Sequence, residues 1–147
     1  MIWPFRRKSK KRMARVVIDE PITSSTRVSV IKALKQIEER EFPALILRID
    51  SPGGTVGDSQ EIYSAIKRLR EKGCKVIASF GNISASGGVY IGVASDKIVA
   101  NPGTITGSIG VIIRGNNLSE LLNKIGIKFE TVKSGIYKDI LSPDKPL

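Results

Sequence analysis

The chain predicts an α/β fold with a mostly parallel sheet under helical cover, and three observations carry that expectation. Short apolar runs alternate with stretches whose apolar residues recur at helical spacing, the order of βαβ units. The run Ala44–Ile49 is broken only by Arg48, the pattern of a parallel strand buried on both faces. The loops that follow the apolar runs are rich in glycine and hydroxyl residues, and sites in such sheets gather where strands end.

Taken in order, Arg15–Ile18 reads as a first strand. After Pro21, Ser24 or Ser25 can cap a helix on which Val28, Ile31, Leu34 and Ile37 form the apolar stripe. Ala44–Ile49 is the second strand. Asp58 can cap the next helix, whose stripe is Ile62, Ile66 and Leu69, and Lys72-Gly73 ends it. Lys75–Phe80, Lys97–Ala100 and Gly110–Ile113 read as further strands. Leu118, Leu121, Leu122 and Ile125 mark a helix that stops at Gly126, and Phe129–Val132 reads as a last strand. No internal repeat or low-complexity tract interrupts this order.

At 147 residues and 41% hydrophobic composition the chain has the size of one domain with a real core. The formal charge of +10 suggests nucleic acid until its location is considered. Arg6, Arg7, Lys8, Lys10, Lys11, Arg12 and Arg15 supply seven of the 24 basic residues, leaving 17 against 14 acidic ones in the body. Residues 1–14 are thus expected to be a basic, disordered segment and 15–147 the domain. A nucleic-acid arm is disfavoured because the body offers no basic face to extend it. Trp3 and Phe5 beside the basic run suit peripheral contact with an anionic membrane surface through Met1–Arg15, the alternative being a solvated tail. No apolar run approaches the roughly 18 residues of a membrane span, and the start lacks a signal-peptide core. The single cysteine, Cys74, opens a strand-like run and reads as a packed residue.

Three loops invite a chemical reading. Ser51-Pro-Gly53-Gly54-Thr-Val-Gly57 permits close backbone approach and can supply an oxyanion donor, although a tight turn into a helix has the same composition. In Asn82-Ile-Ser84-Ala-Ser86-Gly87-Gly88, Ser86 falls at a strand-to-helix turn, where a hydroxyl is exposed beside the N–H of Gly87. The plain alternative for Ser86 is a helix-capping serine. Asn101–Gly110 can hold a group that orients a base, or serve only as a turn-rich connection. The chain contains no histidine, so a nucleophilic serine here needs another base, and lysine is the known substitute. Lys138, in Ser134-Gly-Ile-Tyr-Lys138-Asp139, is the candidate.

Asp50-Ser-Pro-Gly-Gly54, Ser84-Ala-Ser-Gly-Gly88, Thr106-Gly-Ser-Ile-Gly110 and Ser134–Asp139 stand in an order and spacing that resemble the signal peptide peptidase A family, the S49 serine peptidases. The resemblance runs from about Arg15 to Asp139 and is nearest to the short soluble type of photosynthetic bacteria. It implies a Clp protease/crotonase-like fold of repeated ββα units. It further implies Ser86 as nucleophile, Lys138 as general base, Ser108 as the hydroxyl orienting the lysine, and Gly53 and Gly87 as oxyanion donors. No cofactor or metal is implied. The expected activity is cleavage of hydrophobic peptides such as cleaved signal peptides, in a homo-oligomer whose sites are shared between protomers. The implied location is cytoplasmic, peripheral at the inner or thylakoid membrane surface. Because the family continues through further helices, a chain stopping at Asp144-Lys-Pro-Leu147 is expected to be incomplete at its C-terminus.

Rival readings use other residues. A Clp-type Ser-His-Asp triad needs a histidine the chain does not have. A crotonase-like acyl-CoA enzyme would use the same backbone donors with a carboxylate such as Asp50 or Glu61. Ser-x-x-Lys pairs occur at Ser29–Lys32, Ser64–Lys67 and Ser142–Lys145, the first two off the apolar stripes of their helices. An assembly subunit that has kept the fold and lost activity is the non-enzymatic alternative.

Overall fold

The computed structural model describes residues 12–145, which fall into two compact units divided between Gly110 and Val111. The basic head up to Lys11 lies outside the described residues.

The first unit is a five-stranded, all-parallel sheet. β1 (Ala14–Ile18), β2 (Ala44–Ser51), β3 (Lys75–Ala85) and β4 (Lys97–Val99) lie side by side in sequence order. β5 (Ile105–Gly107) pairs with the far end of β3. The crossovers are α1 (Ser24–Glu39) and α2 (Val56–Glu71), followed by the short α3 (Gly87–Gly92). Alternate residues of each long strand are buried, and Leu45, Leu47, Ile49, Val76 and Ala78 meet Ile62, Ile66 and Ile91 in one core. Burying a side chain of that size contributes roughly 1.5–3 kcal/mol, so these few positions carry much of the fold. Cys74 is packed in the same core, as expected.

Several local readings shift. The cap of α1 is Thr23, whose N–H donates to Thr26 Oγ1 at 3.3 Å, not Ser24 or Ser25. The buried stripe of α1 is Thr26, Val30, Leu34 and Ile37, while Val28 faces solvent. Both stripes have helical period. Thr26 joins the inner one because Glu20 Oε1 accepts its hydroxyl at 2.9 Å, satisfying the polar atom a buried threonine brings. The cap of α2 is Thr55, with Asp58 one turn inside, where it bonds the Thr55 hydroxyl and faces the positive end of the helix. Arg27 Nε reaches Asp58 at 2.7 Å and its Nη1 reaches Glu61 at 2.9 Å, tying α1 to α2. β3 runs on through Asn82–Ala85, and Ile105–Gly107 within the expected third loop is a strand.

The second unit contains α4 (Ser119–Lys124), ended by Ile125 and by Gly126 at φ +77°. The expected strands Gly110–Ile113 and Phe129–Val132 do not form. A strand needs a neighbour for its ladder and an apolar face to bury, and these segments have neither. Val111, Ile112 and Ile113 are 72–74% exposed, and no side chain of residues 111–145 is fully buried. Local bonds hold the unit: Leu118 N–H donates to Pro143 O at 2.7 Å, and Lys133 and Lys145 grip Asp139 at 2.5 and 2.6 Å, holding its carboxyl at about 2.

Acid sensitivity follows from the carboxylates of the first unit. Asp96 is held below the usual 3.8 chiefly by the Val76 N–H and then by Arg70, Asp58 by the Thr55 hydroxyl and then Arg27, and Asp50 by backbone N–H groups. A carboxylate with a depressed folded-state pKa stabilises fully above its unfolded value and loses that contribution as pH falls through the folded one. Thermal melts are expected to be flat from pH 7 to about 5 and to drop steadily below about 4. A melting temperature unchanged down to pH 2 contradicts this.

Candidate active site

β2 ends at Ser51 and the chain turns through Pro52, Gly53 and Gly54 into α2. Gly53 has φ +96°, a backbone few L-residues adopt. A Cβ on it would lie 2.7 Å from Gly87 N, 2.8 Å from Ala85 O and 2.9 Å from Ser86 Cβ. The Gly53 backbone therefore presses directly on the turn that ends β3. Gly54 is equally confined, since a Cβ there would stand 2.0 Å from Ile22 O. The fully buried Ile22 holds this loop by donating its N–H to Gly53 O at 2.9 Å and accepting the Thr55 N–H at 3.0 Å.

Opposite Gly53, Ser86 sits between β3 and α3 with φ 49° and ψ −117°, a conformation that costs a non-glycine residue about 1–3 kcal/mol. Its N–H donates to Gly107 O at 2.8 Å and its carbonyl accepts the Tyr90 N–H at 3.0 Å. Its backbone is thus fixed on both sides, while its hydroxyl has no protein partner among the described residues. Gly87 opens α3, so its N–H has no acceptor within the helix. A Cβ on Gly87 would meet Ser59 Oγ at 2.5 Å and Gly54 N at 3.4 Å, so both glycine loops close on one point. Gly88, behind it, packs on Ser51 O and on the buried Ser84.

β5 leaves the sheet at the same level. Ala85 is in register with Gly107, and Gly107 (φ +92°) and Ser108 (φ +51°) turn the chain directly after it. Ser108 is solvent-exposed. Four expected site residues, Gly53, Ser86, Gly87 and Ser108, thus belong to the first unit, at the carboxyl ends of β2, β3 and β5. Lys138 belongs to the second unit, exposed in a turn-rich stretch.

The Gly53 N–H is not free: Ser51 Oγ accepts it at 3.2 Å, and Ser51 in turn donates to Glu20 O at 2.7 Å. The neighbouring Gly54 N–H has no such partner among the described residues, and it lies on the side facing Gly87.

The rival constellations do not assemble. The Asp50 carboxylate accepts the Ile83 N–H at 3.0 Å, and Glu61 is bound to Arg27 on α2. Ser29 and Lys32 are both exposed on α1, and Lys67 of the second pair is exposed on α2. Lys145 is paired with Asp139, which raises its pKa and keeps it protonated.

The sequence model of peptidase family S49 matches residues 68–147. The chain belongs to peptidase family S49. The model of Clp protease matches residues 7–104. A Synechocystis sp. protein named "Putative protease slr0021" is 62% identical over 147 residues, the whole of this chain and 53% of that protein. The Arabidopsis thaliana "Serine protease SPPA, chloroplastic" is 40% identical over 120 residues, 80% of this chain and 18% of that protein. Among solved structures, the 1510-N membrane-bound stomatin-specific protease in complex with a substrate peptide superposes with a TM-score of 0.65 at 27% identity, covering 74% of this chain and 49% of that one. The S49 chain described here thus spans about half the length of its cyanobacterial relative and less of the others. The Clp protease-like fold expected from the sequence is the one found.

Because the S49 loops meet through bare backbone, added methyl groups report on them. Gly53→Ala is expected to lower stability by about 1–3 kcal/mol. Gly87→Ala is expected to cost a similar amount, with most of it recovered in the Gly87→Ala/Ser59→Ala double variant, because the nearest obstruction is the Ser59 hydroxyl. Urea denaturation of the four proteins checks both, and a neutral Gly53→Ala contradicts the close approach.

Proposed function

We propose that this chain is the catalytic portion of a serine peptidase in which Ser86 is the nucleophile and Lys138, from a neighbouring copy, is the base. The observation that carries the reading is Ser86 itself: a serine forced to positive φ at a strand-to-helix turn, its backbone bonded on both sides and its hydroxyl left free. A histidine-free chain leaves lysine as the base, and Lys138 stands in the Ser134–Asp139 landmark within the stretch that the S49 model matches. The sharing of sites between copies fits a second unit that buries no side chain among its described residues and exposes Ile112, Ile113, Phe129 and Val132.

In this reading, neutral Lys138 takes the Ser86 proton as the Ser86 oxygen attacks a peptide carbonyl. The Gly87 N–H and an N–H of the Gly53-Gly54 turn receive the developing oxyanion, each contributing about 2.7–4 kcal/mol to the transition state. Ser108 orients the lysine amine. The protonated lysine then gives its proton to the leaving amine, and water releases the acyl-enzyme by the reverse path. No cofactor enters. Hydrophobic peptides such as cleaved signal peptides are the proposed substrates, supported by an Enterococcus faecium relative named "Putative signal peptide peptidase SppA", 44% identical over 111 residues.

Hydrolysis of a fluorogenic hydrophobic peptide is expected to fall by about 10,000-fold or more in Ser86→Ala and steeply in Lys138→Ala, at matched oligomeric state. The parent rate should climb as pH is raised, because only the neutral amine accepts a proton. Full activity in both variants overturns the mechanism.

Peripheral attachment to a membrane surface, on the cytoplasmic side, is the proposed role of Met1–Arg15. No helix among the described residues is long and apolar enough to cross a membrane. Sedimentation with vesicles containing anionic lipid is expected to pull the chain down at low salt, and salt or deletion of residues 1–15 to release it. Binding that ignores both contradicts the proposal.

A further inference from the structure

The ladder between β2 and β3 is not continuous. Ile49 pairs with Phe80, but Ser51 pairs with Ser84, so two steps along β2 match four along β3. A regular ladder would set Ser51 against Asn82 and Gly53 against Ser84, carrying the turn at Ser86 about 6–7 Å beyond the glycines it now touches. The insertion at Gly81–Ile83 is what draws Ser86 back to Gly53.

Such an insertion strands backbone groups, and side chains from both neighbouring segments meet them. Arg48 Nη1 donates to Phe80 O at 2.8 Å, and Thr104 Oγ1 donates to Gly81 O at 2.8 Å. Asp50 Oδ1 accepts the Ile83 N–H at 3.0 Å, and the Ile83 and Asn82 N–H groups beside it hold its carboxyl below the usual value. A Cβ on Gly81 would stand 2.2 Å from Asp50 Oδ2, so glycine there makes room for the carboxylate. Asp50 meets the insertion's amides, the donors that would otherwise face no acceptor.

We propose that Asp50 is a positioning residue for Ser86: its carboxylate caps the Gly81–Ile83 insertion and thereby sets the level at which Ser86 meets Gly53. The inference rests on Ser86 being the nucleophile only for its consequence in catalysis; the effect on the turn is independent of it.

Backbone amide exchange by NMR on the parent, Asp50→Ala and Asp50→Asn tests it. In Asp50→Ala, protection is expected to fall about 10- to 100-fold at Ile83 and at the Ser86 N–H, while Leu45, Leu47 and Val76 stay within about threefold. Asp50→Asn, which keeps one acceptor oxygen, should restore most of the Ser86 protection. Peptide hydrolysis is then expected to lose kcat with KM nearly unchanged in Asp50→Ala, and to recover in Asp50→Asn. Unchanged protection at Ser86 in Asp50→Ala overturns the proposal, as does a uniform loss across β1 and β2, which marks general destabilisation. If protection at Ser86 falls locally but Ser86→Ala leaves hydrolysis intact, Asp50 positions the turn and the nucleophile reading fails.

Discussion

The approach of Gly53 to the Ala85–Gly87 backbone, closer than 3 Å to any added Cβ, is the constraint on which the rest of the site depends. Two loops from adjacent parallel strands can touch this closely only if the residues that meet there, Ser86 aside, carry no side chain. Gly53, Gly54 and Gly87 meet that requirement, and Ser59, Ser51 and Ser84 keep the space behind them small. Larger residues at any of these positions would separate the loops.

The strain at Ser86 belongs to the same constraint. A serine at φ 49° is unfavourable alone and is held because Gly107 O and the Tyr90 N–H fix its backbone from both sides. The sheet supplies the rigidity: β2, β3 and β5 end at one level, and the core under them, Ile49, Ile62 and Ile91, is fully buried. Flexibility would lower the strain and lose the fixed turn at Ser86. Packing energy from the core therefore sustains an unfavourable local conformation at the site.

Much of the first unit was legible because its apolar residues had a partner within the unit. Ile62, Ile66 and Leu69 on α2, and the runs of β1, β2 and β3, are buried as their periodicity foretells. On α1, Leu34 and Ile37 are buried as expected, while Thr26 and Val30 take the inner positions expected for Val28 and Ile31, Thr26 through its bond to Glu20. Gly110–Ile113 and Phe129–Val132 have strand composition without a strand's surroundings, and composition cannot supply the neighbouring ladder. At the site, the glycine and serine landmarks Gly53, Ser86, Gly87 and Ser108 fall where β2, β3 and β5 end. The Gly53 hydrogen bond to Ser51 and the insertion at Gly81–Ile83 depend on a contact and a register, neither of which has a sequence period.

In the proposed mechanism the fold delivers one serine hydroxyl, that of Ser86, as a nucleophile. Reaction of the chain with a fluorophosphonate, followed by peptide mapping of the adduct by mass spectrometry, reads this out. A single adduct on Ser86 is expected. An adduct on Ser29, Ser64 or Ser108, or an unmodified Ser86 in a chain that hydrolyses peptides, contradicts it.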